Sequence, residues 1–149
     1  MSPQHKRVAR IHLTDRRVRY EDIGHYARYI GGRGVGSAMI MQEVPLHAHP
    51  FSAENILTLN TGPLTGTLSP ASGRINISTK NAATGGVAFA NAGGFFGPEM
   101  KYAGFDHVII EGVSDEPVYL YLHDGTAEIR TAQHLWGKDT WDTETLIQR

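Results

Sequence analysis

Nine of the 17 glycines of this chain fall between Gly62 and Gly104. Glycine gives up more backbone entropy on folding than any other residue. A run this rich is kept where the chain needs positive φ or where main chain must approach something closely. The run has two parts. The first is Thr61-Gly62-Pro63-Leu64-Thr65-Gly66-Thr67, followed by Ser69-Pro70-Ala71-Ser72-Gly73-Arg74. Its glycines expose N–H groups, hydroxyls at Thr65, Thr67, Ser69 and Ser72 can donate, and Arg74 offers a planar fork suited to a pair of anionic oxygens. The second runs from Thr84 to Gly97 and contains Asn91-Ala92-Gly93-Gly94-Phe95-Phe96. Small residues there let a flat ligand lie against main chain, Asn91 can supply an oxygen, and Phe95 and Phe96 can pack beneath. Over Gly62 to Gly104 the cations Arg74, Lys80 and Lys101 face one acid, Glu99. Both parts read as the surroundings of a phosphate-bearing ligand. The same residues also suit a wide loop between strands and a tightly packed glycine-rich β corner with core phenylalanines, and composition leaves these readings open.

Because Lys plus Arg (14) nearly balances Asp plus Glu (15), no global field holds a polyanion, so neither nucleic acid nor an acidic membrane is an expected partner. Any anion must be held locally. The absence of cysteine excludes a disulfide framework, a thiolate zinc site and a thiolate-held iron–sulfur cluster within these 149 residues. If electrons pass through a cluster, another segment carries it. The start of the chain is polar and basic without the apolar stretch of a secretion signal, and no stretch has the length of a membrane span, so a cytoplasmic location is expected.

The length fits one domain. Residues Arg7 to Leu13 alternate, and Val18 and Tyr20 continue the pattern after a polar turn, which predicts an opening β-hairpin. From the N-cap Asp22 a short helix runs to Ile30, where Gly31-Gly32 stops it, and a second helix is expected over Val35 to Val44. Ile56 to Leu59 reads as a buried strand, and Arg74 to Ser78 as an alternating one with Ile75 and Ile77 inward. One or two helical turns from Pro98, strands over 108–110, 118–122 and 127–130, and a last helix from Asp139 or Thr140 complete the reading. Strands outnumber helices and no βαβ alternation appears. The fold class is therefore α+β, a mostly antiparallel β-rich domain with a few short helices. The final helix has no stop signal, so the natural domain is expected to continue past Arg149.

Other motifs are weaker. Gly32-Arg33-Gly34-Val35-Gly36 fails the dinucleotide fingerprint because Ser37 stands where its third glycine belongs, and Gly137-Lys138-Asp139 lacks the Walker A pattern. His47 and His49 are two imidazoles in a proline-bounded loop, too few to close a metal shell, and a solvated loop is the better reading. Asp139, Asp142 and Glu144 are read as capping groups of the last helix rather than as acid–base catalysts.

Taken together and in order, several segments resemble the amino-terminal domain of the aldehyde:ferredoxin oxidoreductase family. They are Tyr29-Ile30-Gly31-Gly32-Arg33-Gly34, the stretch Thr61 to Thr67, Gly73-Arg74, Asn91 to Gly97, Lys101-Tyr102-Ala103-Gly104-Phe105-Asp106, Ile109-Ile110-Glu111-Gly112, Pro117-Val118-Tyr119 and His134-Leu135-Trp136-Gly137-Lys138. Single pieces carry little weight, but the ordered set covers nearly the whole chain and is specific. On this resemblance residues 1–149 are a pterin-cradling domain, shorter than its family counterpart.

The resemblance implies a bis-pterin cofactor, with tungsten usual and molybdenum the alternative. By position, Arg74 matches the family arginine near the pterin. Asn91 matches the residue whose main-chain oxygen helps hold a magnesium ion bridging two pterin phosphates. Ala92, Gly93 and Gly94 match the close-approach surface, and Thr65 and Gly66 of the first glycine loop are counted with the cofactor-binding residues. No catalytic acid or base is assigned.

The cysteines of a [4Fe–4S] cluster and the residues beside the substrate belong, in the family, to later helical domains absent from this sequence. The implied partners are therefore those helical domains or a cysteine-bearing subunit, and ferredoxin for the assembled enzyme. An apolar face left uncovered would favour self-association. The implied reaction is oxidation of an aldehyde to a carboxylic acid, in which this chain alone is not expected to be competent. The competing reading is a non-catalytic pterin-binding module or a split-gene remnant.

Overall fold

In the computed structural model, residues 7–148 are described. The polar opening residues 1–6 and Arg149 lie outside them. Alternation at the start produces the expected hairpin: β1 (Arg7–His12) pairs antiparallel with β2 (Arg17–Asp22), Ile11 facing Val18. Asp22 ends β2, and its Oδ1 accepts from the N–H of Gly24, starting a 3-10 helix over Gly24–Tyr29 where an α-helix was expected.

The next helix differs more. α1 (Gly32–Glu43) begins at Gly32 and takes in Arg33 and Gly34, ahead of the expected start at Val35. Glycine content argued against helix there, and tertiary contact decides otherwise. A Cβ on Gly31 would lie 2.7 Å from the carbonyl oxygen of Thr61, so the helix start is pressed against the end of a strand.

Six strands form the main sheet in the order β2-β1-β6-β3-β4-β5. The remaining four are β3 (Ile56–Thr61), β4 (Ile75–Lys80), β5 (Val87–Ala92) and β6 (His107–Glu111). Only the β1–β6 pairing is parallel, and the other four ladders are antiparallel as expected. β5, in the small-residue stretch, is not expected from the sequence: with three alanines alternating with Phe89 and Asn91 it has little strand propensity, and pairing with β4 holds it. A separate hairpin of β7 (Val118–His123) and β8 (Thr126–Thr131) follows, with α2 (Phe96–Tyr102) before β6. α3 (Thr140–Ile147) closes the described chain, and Asp139 caps it by accepting from the N–H of Asp142 at 2.8 Å, the role read for it. Among the described residues no helix is long and apolar enough to cross a membrane.

The sheet is covered on both faces. One side holds Ala9, Ile11, Ile75, Met100, Phe105 and Val108, with Leu120, Leu122 and Ile129 of the β7–β8 hairpin against them. The other holds Val8, Tyr26, Val35, Met39, Ile56 and Ile109 beneath α1. Arg10 ties this second layer together. Its guanidinium meets Glu21 at 2.9 Å, Glu43 at 2.9 Å and Glu111 at 3.1 Å, while Tyr26 donates to Glu43. Burial alone would lower the Arg10 pKa, but the hydrogen bonds to Glu43, Glu21 and Glu111 outweigh it and hold the charge on. Burial and the bond to Glu43 raise the Tyr26 pKa, so the phenol stays neutral.

Reading Ile75 and Ile77 as the inward face of β4 was half of the answer. Ile75 is buried, but so are Asn76 and Ser78 on the opposite face, together with Thr58, Asn60 and His107. A polar layer therefore lies under α1, where the helix would ordinarily meet apolar side chains. It is tolerable because every buried side-chain polar atom among the described residues has a partner. Gly36 of α1 sits directly on it: a Cβ there would lie 2.7 Å from Asn60 Nδ2 and 2.9 Å from Ser78 Cβ.

Gly36→Ala should thus destabilise the fold by about 1–3 kcal/mol in urea denaturation, although alanine favours helix by about 1 kcal/mol. An unchanged or higher midpoint would show that the helix is free to lift. In the β7–β8 hairpin, the bond to Glu128 raises the His123 pKa above the ordinary imidazole value, and Asp124 adds to it. This contribution is fully present below about pH 6.5 and fades as pH rises through the folded value. NMR titration should place the His123 midpoint above that of the Glu128→Gln variant.

Candidate functional site

The end of β3, the start of β4 and the end of β5 lie side by side, since Thr61 pairs with Ile75 and Ile75 with Ala92. The first turn of α1 reaches the same place. Between them opens a hollow of about 410 Å³, lined among others by Gly32, Arg33, Asn60, Thr65, Arg74, Asn76 and Asn91. The two glycine-rich segments, separate in sequence, meet here.

The loop from Gly62 to Arg74 is held by its own hydroxyls. Thr65 Oγ1 accepts from the N–H of Gly62 and donates to the carbonyl of Arg74, both at 3.1 Å. Thr67 donates to Leu64 O and Ser72 to Thr67 O. Three of the four hydroxyls read as ligand donors are therefore spent shaping the loop, Thr65 doing so at the wall of the hollow. Gly73 is where the segments touch: a Cβ there would run into the carbonyl oxygen of Gly94.

Beyond that pinch, a Cβ at Gly93 or Gly94 would meet no atom within 4 Å, so the main chain is open there. Gly94 has φ +98°, a left-handed conformation suited to glycine. Asn91 and Arg74 are exposed at the hollow, and Ala92 is exposed beside them. Gly66 points elsewhere. Its carbonyl accepts from Tyr102 Oη at 2.8 Å, and it lines a separate hollow with Lys101, Tyr102 and Asp106.

The charge reading needs correction. Lys101 is paired with Asp106 at 3.4 Å, and Lys80 is buried and donates to the carbonyls of Pro45 and Leu46. Of the three cations counted in this stretch, Arg74 alone faces the hollow. A second cation comes from outside it: Arg33, whose guanidinium lies 4.7 Å from the centre of the Phe89 ring. Neither arginine makes an ion pair among the described residues, and no acid lines the hollow. The phenylalanines also depart from expectation. Phe95 is 84% and Phe96 56% exposed, so neither packs beneath the glycines. His47 and His49 sit in the loop after α1, where His47 approaches Glu54 and His49 Nδ1 accepts from the N–H of Phe51.

Sequence reasoning missed Arg33, Asn60 and Asn76. The last two belong to a polar rung across four strands, in which His107 pairs with Asn60, Asn60 with Asn76 and Asn76 with Asn91. His107 Nδ1 bonds Asn60 Oδ1 at 3.1 Å, and Asn60 Nδ2 donates to Thr58 Oγ1 at 2.9 Å. Ser78 Oγ donates to Asn76 Oδ1 at 2.7 Å, and Asn76 Nδ2 donates to both Ala90 O and Asn91 Oδ1 at 3.1 Å. The available signal was a polar residue at alternate positions of β3 and β4.

Comparison with known proteins agrees with this architecture. The sequence profile described as "Aldehyde ferredoxin oxidoreductase, N-terminal domain" matches residues 8–149. The tungsten-containing aldehyde ferredoxin oxidoreductase of Pyrococcus abyssi (strain GE5 / Orsay) is 44% identical over 144 residues, 95% of this chain and 24% of that protein. The protein of the same description from Thermococcus kodakarensis is 41% identical over 145 residues, 96% of this chain and 24% of its own. Among solved structures, the active-site complex BamBC of benzoyl coenzyme A reductase with 1,5 dienoyl-CoA superposes with a TM-score of 0.91 at 35% identity, covering 97% of this chain and 22% of that one. The chain thus spans about a quarter of the length of the relatives it matches.

Gly73→Ala should separate the two glycine segments at the mouth of the hollow, at a cost of about 1–3 kcal/mol. The check is an NMR comparison in which the Gly93 and Gly94 amides move most; shifts confined to residue 73 and its chain neighbours would mean the pinch is not a constraint.

Proposed function

The chain belongs to the aldehyde ferredoxin oxidoreductase family, as its N-terminal domain, and from that premise we propose that it cradles the metal–pterin cofactor of a tungsten-containing oxidoreductase. The observation that carries the reading is a hollow lined by Arg33, Arg74 and Asn91 and by no acid, neither arginine making an ion pair among the described residues, with the open main chain of Gly93 and Gly94 following Asn91 in the chain. A flat ligand with phosphate arms needs a surface its ring can approach without side chains intervening, and cations where its charge lies. The residues present fit that demand.

Arg74 and Arg33 would hold phosphate oxygens from opposite sides, from the β4 start and the first turn of α1. The helix adds its own unpaired N–H groups and the positive end of its dipole to the Arg33 side. Ala92, Gly93 and Gly94 would form the floor. Thr65 acts through the loop, by fixing the main chain of Arg74. Asn91 would contribute its main-chain oxygen to a magnesium ion joining the phosphates, its side-chain oxygen already accepting from Asn76.

When bound, the metal–pterin unit supplies two-electron redox chemistry, for which the family's oxidation of an aldehyde with water to a carboxylic acid, releasing two electrons and two protons, is the proposed reaction. Electrons would leave through an iron–sulfur cluster to ferredoxin, both carried by other chains or segments, since this sequence has no cysteine. What this chain contributes is binding, orientation and local charge. Among the described residues no carboxylate, histidine or lysine lines the hollow.

The test is to purify the protein from its host with whatever chains accompany it, and to measure tungsten, molybdenum and magnesium together with pterin fluorescence after acid oxidation. Metal and pterin in the intact assembly support the reading. Their retention by the chain alone, with no activity in any assembly, would favour a stand-alone pterin-binding module. Arg74→Ala removes a charge-assisted contact of about 1.5–3 kcal/mol and should lower cofactor retention roughly tenfold or more. Its thermal midpoint should hardly move, because an exposed side chain is lost. Full retention of metal and pterin by that variant would overturn the role given to Arg74.

A further inference from the structure

The rung that ends at Asn91 has a polarity. A main-chain carbonyl can only accept, so the bond to Ala90 O fixes which end of the Asn76 amide is nitrogen. Ser78 Oγ, donating to Asn76 Oδ1 at 2.7 Å, holds the other end. Asn76 is 3% exposed, and with both ends of its amide committed it has no second orientation that keeps these bonds. Its Nδ2 must then face Asn91, which answers with Oδ1. The remaining end of the Asn91 amide, the NH2 group with its two donors, is left for the side away from Asn76. Asn91 is exposed and lines the hollow with Arg74 and Arg33.

We infer that Asn76 is a positioning residue which turns the amide nitrogen of Asn91 into the hollow, making the Asn91 side chain a donor contact for the phosphate-bearing ligand in addition to its main-chain oxygen. The inference rests on the cofactor-cradle reading for the ligand, but the orientation itself rests on the hydrogen bonds alone. Were Asn91 free to rotate, it would present its oxygen to the hollow half of the time, and an oxygen repels an anion. Locking the amide from behind removes that alternative before the ligand arrives. Asn76 itself is buried, with α1 closing over the neighbouring Asn60 and Ser78 at Gly36, and the same helix brings Arg33 to the hollow.

The probe is inorganic pyrophosphate, titrated into the 15N-labelled 149-residue chain and followed by NMR at the Gly93 and Gly94 amides and at the Asn91 side-chain NH2. In the wild type both sets of signals should shift together. Asn91→Ala should weaken pyrophosphate binding several-fold, and Asn91→Asp more than tenfold, because it replaces donors by a carboxylate while leaving the main-chain oxygen in place. Asn76→Ala should weaken binding about twofold, less than Asn91→Ala does, and the double variant no further than Asn91→Ala alone.

Binding unchanged in Asn76→Ala or in Asn91→Asp would overturn the inference. So would losses that multiply in the double variant, since Asn76 would then act independently of Asn91. If Asn76→Ala does not fold, Asn91→Asp decides, its side chain being exposed: tighter or equal binding refutes a donor role. A wild-type chain that ignores pyrophosphate would sink the cofactor-cradle reading instead. The ligand-free heteronuclear NOE of the Asn91 NH2 would still judge the positioning, falling in Asn76→Ala or, if it stays unaltered, overturning it.

Discussion

The structure depends on a buried polar layer that has to be fully paired. Thr58, Asn60, Asn76, Ser78 and His107 lie beneath α1 with almost no contact with water, where an unpaired amide would cost about 1–3 kcal/mol. Pairing requires the strands to keep one register, since a slip of a single residue would carry every one of these groups to the apolar face. It also requires the helix to lie close, which Gly36 permits. Register and helix seat together decide where Arg33 and Asn91 stand. The hollow is thus shaped by contacts within the sheet, well away from its mouth.

This explains how a chain with no net field can still make a local place for an anion. The two cations at the hollow, Arg33 and Arg74, have no carboxylate partner among the described residues. Three others are engaged elsewhere: Arg10 by three glutamates, Lys101 by Asp106 and Lys80 by main-chain carbonyls. Charge counting along the sequence cannot see this, because a cation already paired contributes little to a ligand several ångströms away.

Much of the fold was legible in the residues. The β1–β2 alternation, the apolar runs of β3 and β6, the Asp124-Gly125 turn and the Asp139 cap all carry local signals that the tertiary structure leaves intact. What was not legible needed partners distant in sequence. Gly32 and Gly34 are poor helix formers, in a helix start that Gly31 seats against the end of β3. β5 exists only because β4 pairs with it, and Asn76 and Ser78 look like solvent-facing positions until α1 covers them. At the site, Arg74 and Asn91 could be picked from residue type, and both line the hollow, whereas Gly93 and Gly94 lie outside its lining, with Gly94 against Gly73. Arg33 could not, because its place depends on a helix start that glycine content argues against. Phe95 and Phe96 are expected to pack beneath the glycines, yet both rings are exposed.

Strand order has a consequence for how the molecule is made. β1 and β2 form one piece of the sheet and β3, β4 and β5 another, and only β6, from His107 to Glu111, joins them. During synthesis the earlier strands must therefore wait as two unlinked hairpin units, each with an uncovered edge, until the joining segment has left the ribosome. Closing so long a loop makes that step slow compared with hairpin formation, and it exposes the nascent chain to wrong pairing in the interval.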